Sequence, residues 1–471
     1  MPENSWSEHD GGSELDPIGS LLSELSDDDF KSDFFLHGQE GRRRKAALTL
    51  TIVWGSTITL HLVSWGSWLV WCLAALLGIY MLKLFLARPL RAPEPLCDEE
   101  QADFPHVSLL VAAKNEEAVI KNLVEMLCNL DYPKDKYELW VVNDHSTDRT
   151  PTLLEQLSCK YDQLKVLHRT ADAGGGKSGA LNQVLPLTTG EVVGVFDADA
   201  HVPKDLLRRI LPLFNQKSIG AVQVRKAIAN SSENFWTKAQ MTEMILDSCM
   251  QQQRTAIGGI GELRGNGQFV RRTALESCGS WNEQTITDDL DLTLRLHLNN
   301  WDIGFLNYPC VEEEGVTKAL SLWHQRNRWA EGGYQRYLDY WRLIASNRLG
   351  IGKTIDLFAF VLLQYLLPTA MIPDLLMVIA RSRLPLLTPL TGLTVAFPVI
   401  AMFLGLCRTS RNKRLTFSQF LMILWQTLRG NFYLLHWVLV IVATTARMSV
   451  RPKRLKWVKT VHQGTQVLHR G

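Results

Sequence analysis

Basic residues are almost missing from the first 40 positions, where Lys31 stands alone among Asp, Glu, Ser and Gly. Residues 1–40 therefore read as an acidic, disordered leader that cannot bury a core. An apolar h-region near the start is also lacking, so no secretory signal peptide is expected. The eight cysteines, at 72, 97, 128, 159, 249, 278, 310 and 407, form no CxxC and pair with no His at metal spacing. That excludes a structural zinc site and suits a reduced, cytosol-facing protein. The run Gly174-Gly175-Gly176-Lys177-Ser178 lacks the first glycine of a phosphate loop, because position 171 is Ala171. A P-loop NTPase is excluded on that ground. A net charge of +2 over 471 residues selects no class of partner.

Charge disappears altogether from Ala46 to Leu82. A single pass needs ~20 apolar residues, so this stretch suffices for two. Ser64-Trp65-Gly66-Ser67 is the natural turn, and Arg42-Arg43-Arg44-Lys45 and Lys83, Arg88 and Arg91 flank it. Basic flanks on both sides predict a two-helix hairpin over 41–91 with both ends cytoplasmic. Apolar spans return at 355–380 and 386–407, and a basic loop, Arg408 to Arg414, follows them. Residues 415–446 fit two short passes, or an interfacial helix and one pass. The unit 355–446 thus reads as a C-terminal transmembrane bundle, and 447–471, with the basic run Arg451 to Lys459, as a cytosolic tail. Asp356 and Asp374 fall in or beside spans, where a carboxylate needs a protein or headgroup partner.

Between the spans, residues 105–315 alternate β-rich runs with helical patterns. Strands are predicted at Val107–Ala113, Tyr137–Asn143, Leu164–His168, Val192–Asp197 and Ala221–Arg225. Helices are predicted at Glu117–Asn129, Ser178–Pro186 and Lys204–Asn215. Such alternation implies an α/β, Rossmann-like, mostly parallel sheet, with ligands at the carboxyl ends of its strands. Asp197-Ala198-Asp199 closes one strand, and Asn143-Asp144 closes another. Two carboxylates one residue apart can share a hard cation such as Mg²⁺ and aim it at a diphosphate. Asp144 can accept hydrogen bonds from a base or ribose, with Lys114, Asn115 and Glu116 beside it. Taken alone, Asn143-Asp144-His145-Ser146 is equally a polar turn capping the next helix. Lys177 and its glycine loop can help hold a donor, or simply start a helix.

Thr287-Asp288-Asp289-Leu290-Asp291 opens another helix. Thr287 is an apt N-cap, and acids in a first turn complement the helix dipole. Three acids in five residues exceed that need, and Asp289, with Asp288 as the alternative, can serve as general base. Gln325, Arg328 and Trp329, spaced i, i+3, i+4, share one helical face. The Arg328 fork suits phosphate oxygens, and Trp329 offers a flat wall to a sugar or glycerol. Residues 316–350 also read as amphipathic interface helices, with Trp323, Trp329, Tyr334, Tyr337 and Trp341 as membrane anchors.

Together these motifs resemble those of the family-two inverting glycosyltransferases of GT-A fold, in particular the membrane-embedded branch of cellulose, hyaluronan and chitin synthases. The resemblance covers roughly residues 105–345. It implies that Asp144 contacts uridine, that Asp197 and Asp199 handle diphosphate and metal, and that Asp289 is the base. It further implies that Gln325, Arg328 and Trp329 bind diphosphate and acceptor, and that Gly265-Asn266-Gly267-Gln268 lines the acceptor. Asp288 stands where Glu is common in that family. The whole chain looks most like the cyanobacterial β-monoglucosyldiacylglycerol synthases. That likeness implies a multi-pass protein of the cell or thylakoid membrane, its catalytic domain cytosolic and inserted between transmembrane helices. The implied reaction moves glucose from UDP-glucose to the sn-3 hydroxyl of diacylglycerol, with Mg²⁺ or Mn²⁺. A processive polysaccharide synthase using a UDP-sugar is the alternative. A membrane sensor of nucleotide sugars would need neither the base nor the Gln-x-x-Arg-Trp motif.

Overall fold

The structure, a computed structural model, describes residues 41–98, 104–409 and 416–451. The acidic leader, residues 410–415 of the basic loop and residues 452–471 of the basic tail lie outside the described residues. Two helices, α1 (Arg42–Leu62) and α2 (Gly66–Leu86), come first among the described residues. Then come β1 (Val107–Ala113), α3 (Ile120–Leu127), β2 (Tyr137–Asn143), α4 (Thr150–Ser158), β3 (Leu164–His168) and α5 (Gly176–Val184). The chain continues through β4 (Val192–Phe196), α6 (Leu206–Ile210), β5 (Ile219–Ile228), α7 (Phe235–Ala256), β6 (Gln268–Arg271) and α8 (Arg272–Ser277). It ends its sheet with α9 (Asp288–Leu298), β7 (Asp302–Glu313) and the long α10 (Ala319–Ala345). Five apolar helices follow: α11 (Ile351–Val361), α12 (Leu367–Arg381), α13 (Thr388–Thr409), α14 (Phe417–Leu434) and α15 (His436–Val450).

Among the described residues, seven strands make one sheet in the order β3-β2-β1-β4-β6-β5-β7. Every pairing is parallel except those of β6, which runs antiparallel to β4 and β5. Central strands such as β4, Val-Val-Gly-Val-Phe, are buried along their length, as a sheet covered on both faces requires. One apolar layer packs Leu109 and Val111 against Leu123 and Leu127 of α3 and Leu207 of α6. The other packs Leu110, Val193 and Val195 against Leu181 of α5, Leu275 of α8 and Leu292 of α9. β1 lies between β2 and β4, so the carboxyl ends of all three strands meet along one edge.

Among the described residues, four helical stretches are long and apolar enough to cross a membrane: Gly66–Leu86, Ile351–Arg381, Thr388–Thr409 and Phe417–Val450. α1 is equally long but carries Thr49, Thr51, Ser56, Thr57, Thr59 and His61. The two carboxylates in this region are partnered. Asp356 accepts from Arg254 at 2.8 Å, from the amide of Ile260 at 2.7 Å and from the Tyr80 hydroxyl. Asp374 meets His61 at 2.7 Å and the amide of Leu386 at 3.0 Å. α10 is more deeply embedded than an interfacial helix. Tyr334 and Tyr337, read above as membrane anchors, are buried and pack against Tyr365 in the core that α10 shares with α11 and α15.

Candidate active site

The strand order brings three motif ends side by side. In register, Ala113 of β1 faces Asn143 of β2, and Val111 faces Phe196 of β4. The residues that leave these strands are Lys114, Asp144 and Asp197. Lys114 Nζ stands 3.4 Å from Asp144 Oδ2. The other Asp144 oxygen takes Arg169 Nη1 at 2.6 Å. Glu116 is buried, its amide donating to Thr150 Oγ1 at 2.9 Å. Asn143 Oδ1 accepts from the Ser146 amide, so the polar turn is real, yet the first amide of α4, that of Thr150, is taken by Asp148 Oδ1 at 3.0 Å.

The glycine loop folds under this edge. Gly175 has φ +78° and serves as N-cap of α5, which begins at Gly176. Lys177 Nζ donates to Asp197 Oδ1 at 2.5 Å. Burial works against the Lys177 charge, but Asp197, Asp288 and Asp289 outweigh it and raise its pKa. Asp199 is buried, and its Oδ2 accepts from the Glu314 amide at 3.0 Å. That bond orients one oxygen, and the side chain lines a small cavity with Asn122, Met126, His201 and Glu314.

The antiparallel β6 supplies the next wall. Its leading loop turns back on β4, the Gly267 amide donating to Val195 O at 3.0 Å. Asn266, fully buried, accepts from the Asp197 amide at 3.3 Å through Oδ1, while its Nδ2 has no partner. Gly265 has φ +80°, and a Cβ there would sit 3.4 Å from Asp289 Oδ2. Glycine thus permits both the turn and the close approach to the acid.

Asp288 and Asp289 open α9, which follows Thr287. Thr287 occupies the N-cap position, but its side chain makes no capping bond. Its buried Oγ1 has no partner, because α10 presses Gly332 against it. Asp291 is spent structurally, on Arg295 at 2.7 Å and Tyr340 at 3.0 Å. Burial, then the neighbouring Asp288, lifts Asp289 to about 6, while Lys177 and Lys226 pull the other way. A carboxylate near 6 is a stronger base than an ordinary one and is still ionised at neutral pH.

From α10, Arg328 reaches the same place. Burial lowers its pKa, and the charges of Asp197, Asp289 and Asp288 oppose that. Trp329 is half-buried, and Gln325 carries a buried Oε1 without a partner. Asp197, Asp288, Asp289, Lys177, the Gly265–Gly267 loop and Arg328 therefore converge, although the chain separates them by up to 151 positions between Lys177 and Arg328. Such a site can hold an anionic diphosphate on cations and present a hydroxyl to a buried base.

Residues 105–332 match the family described as Glycosyltransferase like family 2. Over 470 residues the chain is 60% identical to a β-monoglucosyldiacylglycerol synthase from a Nostoc species, covering 99% of this chain and 100% of that one. The chain belongs to the family 2 glycosyltransferases. A β-monoglucosyldiacylglycerol synthase from Synechocystis is 57% identical over 469 residues, covering 98% of this chain and 97% of that one. A solved mannosyltransferase from Pyrobaculum calidifontis, in complex with GDP-Man and Mn2+, matches with a TM-score of 0.52 at 19% identity. It covers 83% of this chain and 99% of that chain, and the likeness is one of fold. The sheet of this glycosyltransferase is accordingly of the GT-A type.

Several residues of the site escape sequence reasoning. Arg169 ties Asp144 to the glycine loop, donating to Gly176 O at 3.2 Å and to Gly174 O. Lys226 joins Glu313 at 2.8 Å and lies 5.7 Å over the Trp329 ring. Arg264 pairs with Glu262 at 2.8 Å and Asp247 at 2.7 Å, directly before the glycine turn. None sits in a motif. Arg169 alone carried a signal, one residue past the predicted end of β3.

Proposed function

We propose that this glycosyltransferase transfers glucose from UDP-glucose to the sn-3 hydroxyl of 1,2-diacylglycerol, with inversion, giving β-monoglucosyldiacylglycerol. The single observation that carries the reading is the 60% identity, end to end, with an enzyme of that name. The helices long enough to cross a membrane agree with a lipid acceptor. The catalytic domain would lie on the cytosolic side of the cell or thylakoid membrane.

In this reading Asp144, with Lys114 and Glu116, holds the uridine. Lys177 and Arg328 hold the diphosphate oxygens, with Gln325 beside them, and Asp197 and Asp199 hold a divalent ion, Mg²⁺ or Mn²⁺. Among the described residues no group of three or more His, Cys, Asp and Glu can hold a metal unaided. Two carboxylates that leave the remaining positions to phosphate and water fit the habits of Mg²⁺. When bound, the ion neutralises charge on the departing diphosphate. Trp329 forms the floor under the acceptor, and Asn266 and Gly267 line its side. Asp289 takes the proton of the acceptor hydroxyl as the bond from the sugar C1 to the diphosphate oxygen breaks. The hydroxyl oxygen bonds to C1 from the opposite face, and UDP leaves with the bonding pair. Asp288 keeps the base raised.

The test is incubation of purified enzyme with radiolabelled UDP-glucose, UDP-galactose or UDP-N-acetylglucosamine, diacylglycerol and Mg²⁺. One organic-soluble glycolipid, made from UDP-glucose, is the expected product. A high-mass polymer, or label from a different sugar, overturns the proposal.

A further inference from the structure

We propose that Arg326 forms a second polar site inside the helical bundle, which receives the ester carbonyls of the acceptor lipid and selects diacylglycerol over lipids without them. This rests on the diacylglycerol reading above and deepens it.

Arg326 lies between the motif residues Gln325 and Arg328, and its side chain is 0% exposed. A guanidinium carries five N–H donors. Nη2 serves Glu243 and, at 3.1 Å, the Tyr433 hydroxyl. Nε and Nη1 have no partner. Glu243 cannot absorb them, because it also accepts from Tyr433 at 3.0 Å and from Trp437 Nε1 at 2.8 Å. His436 lies against Tyr433 with its ring tilted by 50°, the ring centres 4.5 Å apart. Its Nδ1 donates to the Tyr433 carbonyl at 2.5 Å, and its Nε2 is buried without a partner. Buried polar atoms left unpaired are uncommon and costly. Here two unspent donors belong to one buried cation, and the nearby His436 Nε2, an acceptor in this tautomer, cannot satisfy an ester carbonyl.

The position matches a lipid headgroup. Trp329 lies between two cations, with Lys226 at 5.7 Å and Arg326 at 4.1 Å from its ring centre. Lys226 is on the reaction side, where burial works against its charge but Glu313, followed by Asp197 and Asp289, outweighs it and raises its pKa. Arg326 is on the bundle side, with Trp437 at 5.6 Å. A glycerol whose free hydroxyl reaches Asp289 across Trp329 carries its ester groups only a few bonds further on. Phe432 and Leu435, 70% and 56% exposed at the junction of α14 and α15, offer the adjoining apolar surface for acyl chains. An ester carbonyl is a pure acceptor and matches Nε and Nη1, whereas an ether oxygen is a poor one.

The experiment compares 1,2-diacylglycerol with the 1,2-dialkylglycerol of equal chain length, in mixed micelles with UDP-glucose. The wild-type kcat/KM should favour the diester by about tenfold or more, the scale of hydrogen bonds to a charged donor. Arg326→Met should raise the KM for diacylglycerol and remove the preference, with the KM for UDP-glucose held within about twofold. Arg326→Lys should recover part of the preference. Equal use of the two lipids by the wild-type enzyme overturns the proposal without any variant. So does an Arg326→Met enzyme that keeps the preference. If neither lipid is glucosylated while another acceptor is, the functional reading itself fails, and this site with it.

Discussion

The proposed base, Asp289, owes its proton affinity to its surroundings. Its carboxylate is buried beside Asp288, and the two effects place its proton affinity at about 6. The rate with saturating UDP-glucose should therefore fall as pH drops through about 6, where a proton occupies the base. Asp289→Asn should lose roughly 10²–10⁴-fold in turnover and bind UDP within about twofold of wild type. Normal turnover would discard the assignment. The same environment has a stability sign. A carboxylate whose folded pKa is raised costs stability as pH rises from its unfolded value to about 6. Asp289→Asn should hence melt higher than wild type at pH 8, and the difference should vanish below about pH 4. Asp199 makes a separate case, since its Oδ2 is already oriented by the Glu314 amide. In Asp199→Ala, the affinity for UDP measured by calorimetry should no longer respond to Mg²⁺. A retained Mg²⁺ response would assign the ion to other ligands.

At the scale of elements, the catalytic pieces are held by the crossing of α9 and α10. A Cβ on Gly332 would overlap Thr287 Oγ1. Gly332→Ala should therefore push α10 away from the first turn of α9, separating Arg328 from Asp289. Overpacking of this kind costs about 1–3 kcal/mol. Activity should fall further than stability does, and Thr287→Ala should restore part of both, a coupling that a double-mutant cycle reads directly. Additive effects would show that the two helices do not share this contact. None of this crossing was legible in the sequence, where Thr287 reads only as a cap. By contrast, β1, β2 and β3 were legible to the residue, because each is a short apolar run bounded by turn residues. β6 and β7 were not. β6 is four residues long, and β7 contains Pro309 and three acids. α7 was missed because its polar residues, Gln240, Glu243, Gln251 and Arg254, face buried partners from other segments and break any amphipathic pattern. Asp144, Asp197 and Asp199 were visible because strand ends mark ligand sites. Arg169, Lys226, Arg264 and Arg326 were not, since long-range contacts alone give them meaning.

At the scale of the whole molecule, a buried ionic chain links the long apolar helices to the carboxyl edge of the sheet. Tyr80 of α2 donates to Asp356 of α11, and Asp356 holds Arg254 of α7 at 2.8 Å. Glu262 then collects three guanidiniums, Arg254 at 3.7 Å, Arg264 at 2.8 Å and Arg336 at 3.0 Å. Gly265, the glycine that approaches Asp289, directly follows Arg264. Burial disfavours the Glu262 charge, but Arg264, Arg336 and Arg254 outweigh it and depress its pKa. The depressed value means that this carboxylate stabilises the fold above its unfolded pKa and that the contribution is lost as pH falls. Removing the charge is worse than never having built the cluster, because three buried cations would lose their shared anion. Breaking such a pair costs about 3–5 kcal/mol. Glu262→Gln should therefore lower Tm in detergent by roughly 5–15 °C at a fixed scan rate, although residue 262 touches no substrate. Below its melting point the variant should also lose turnover, because the turn that carries Gly265 is no longer pinned. An unchanged Tm would mean that the apolar helices and the sheet are stabilised independently.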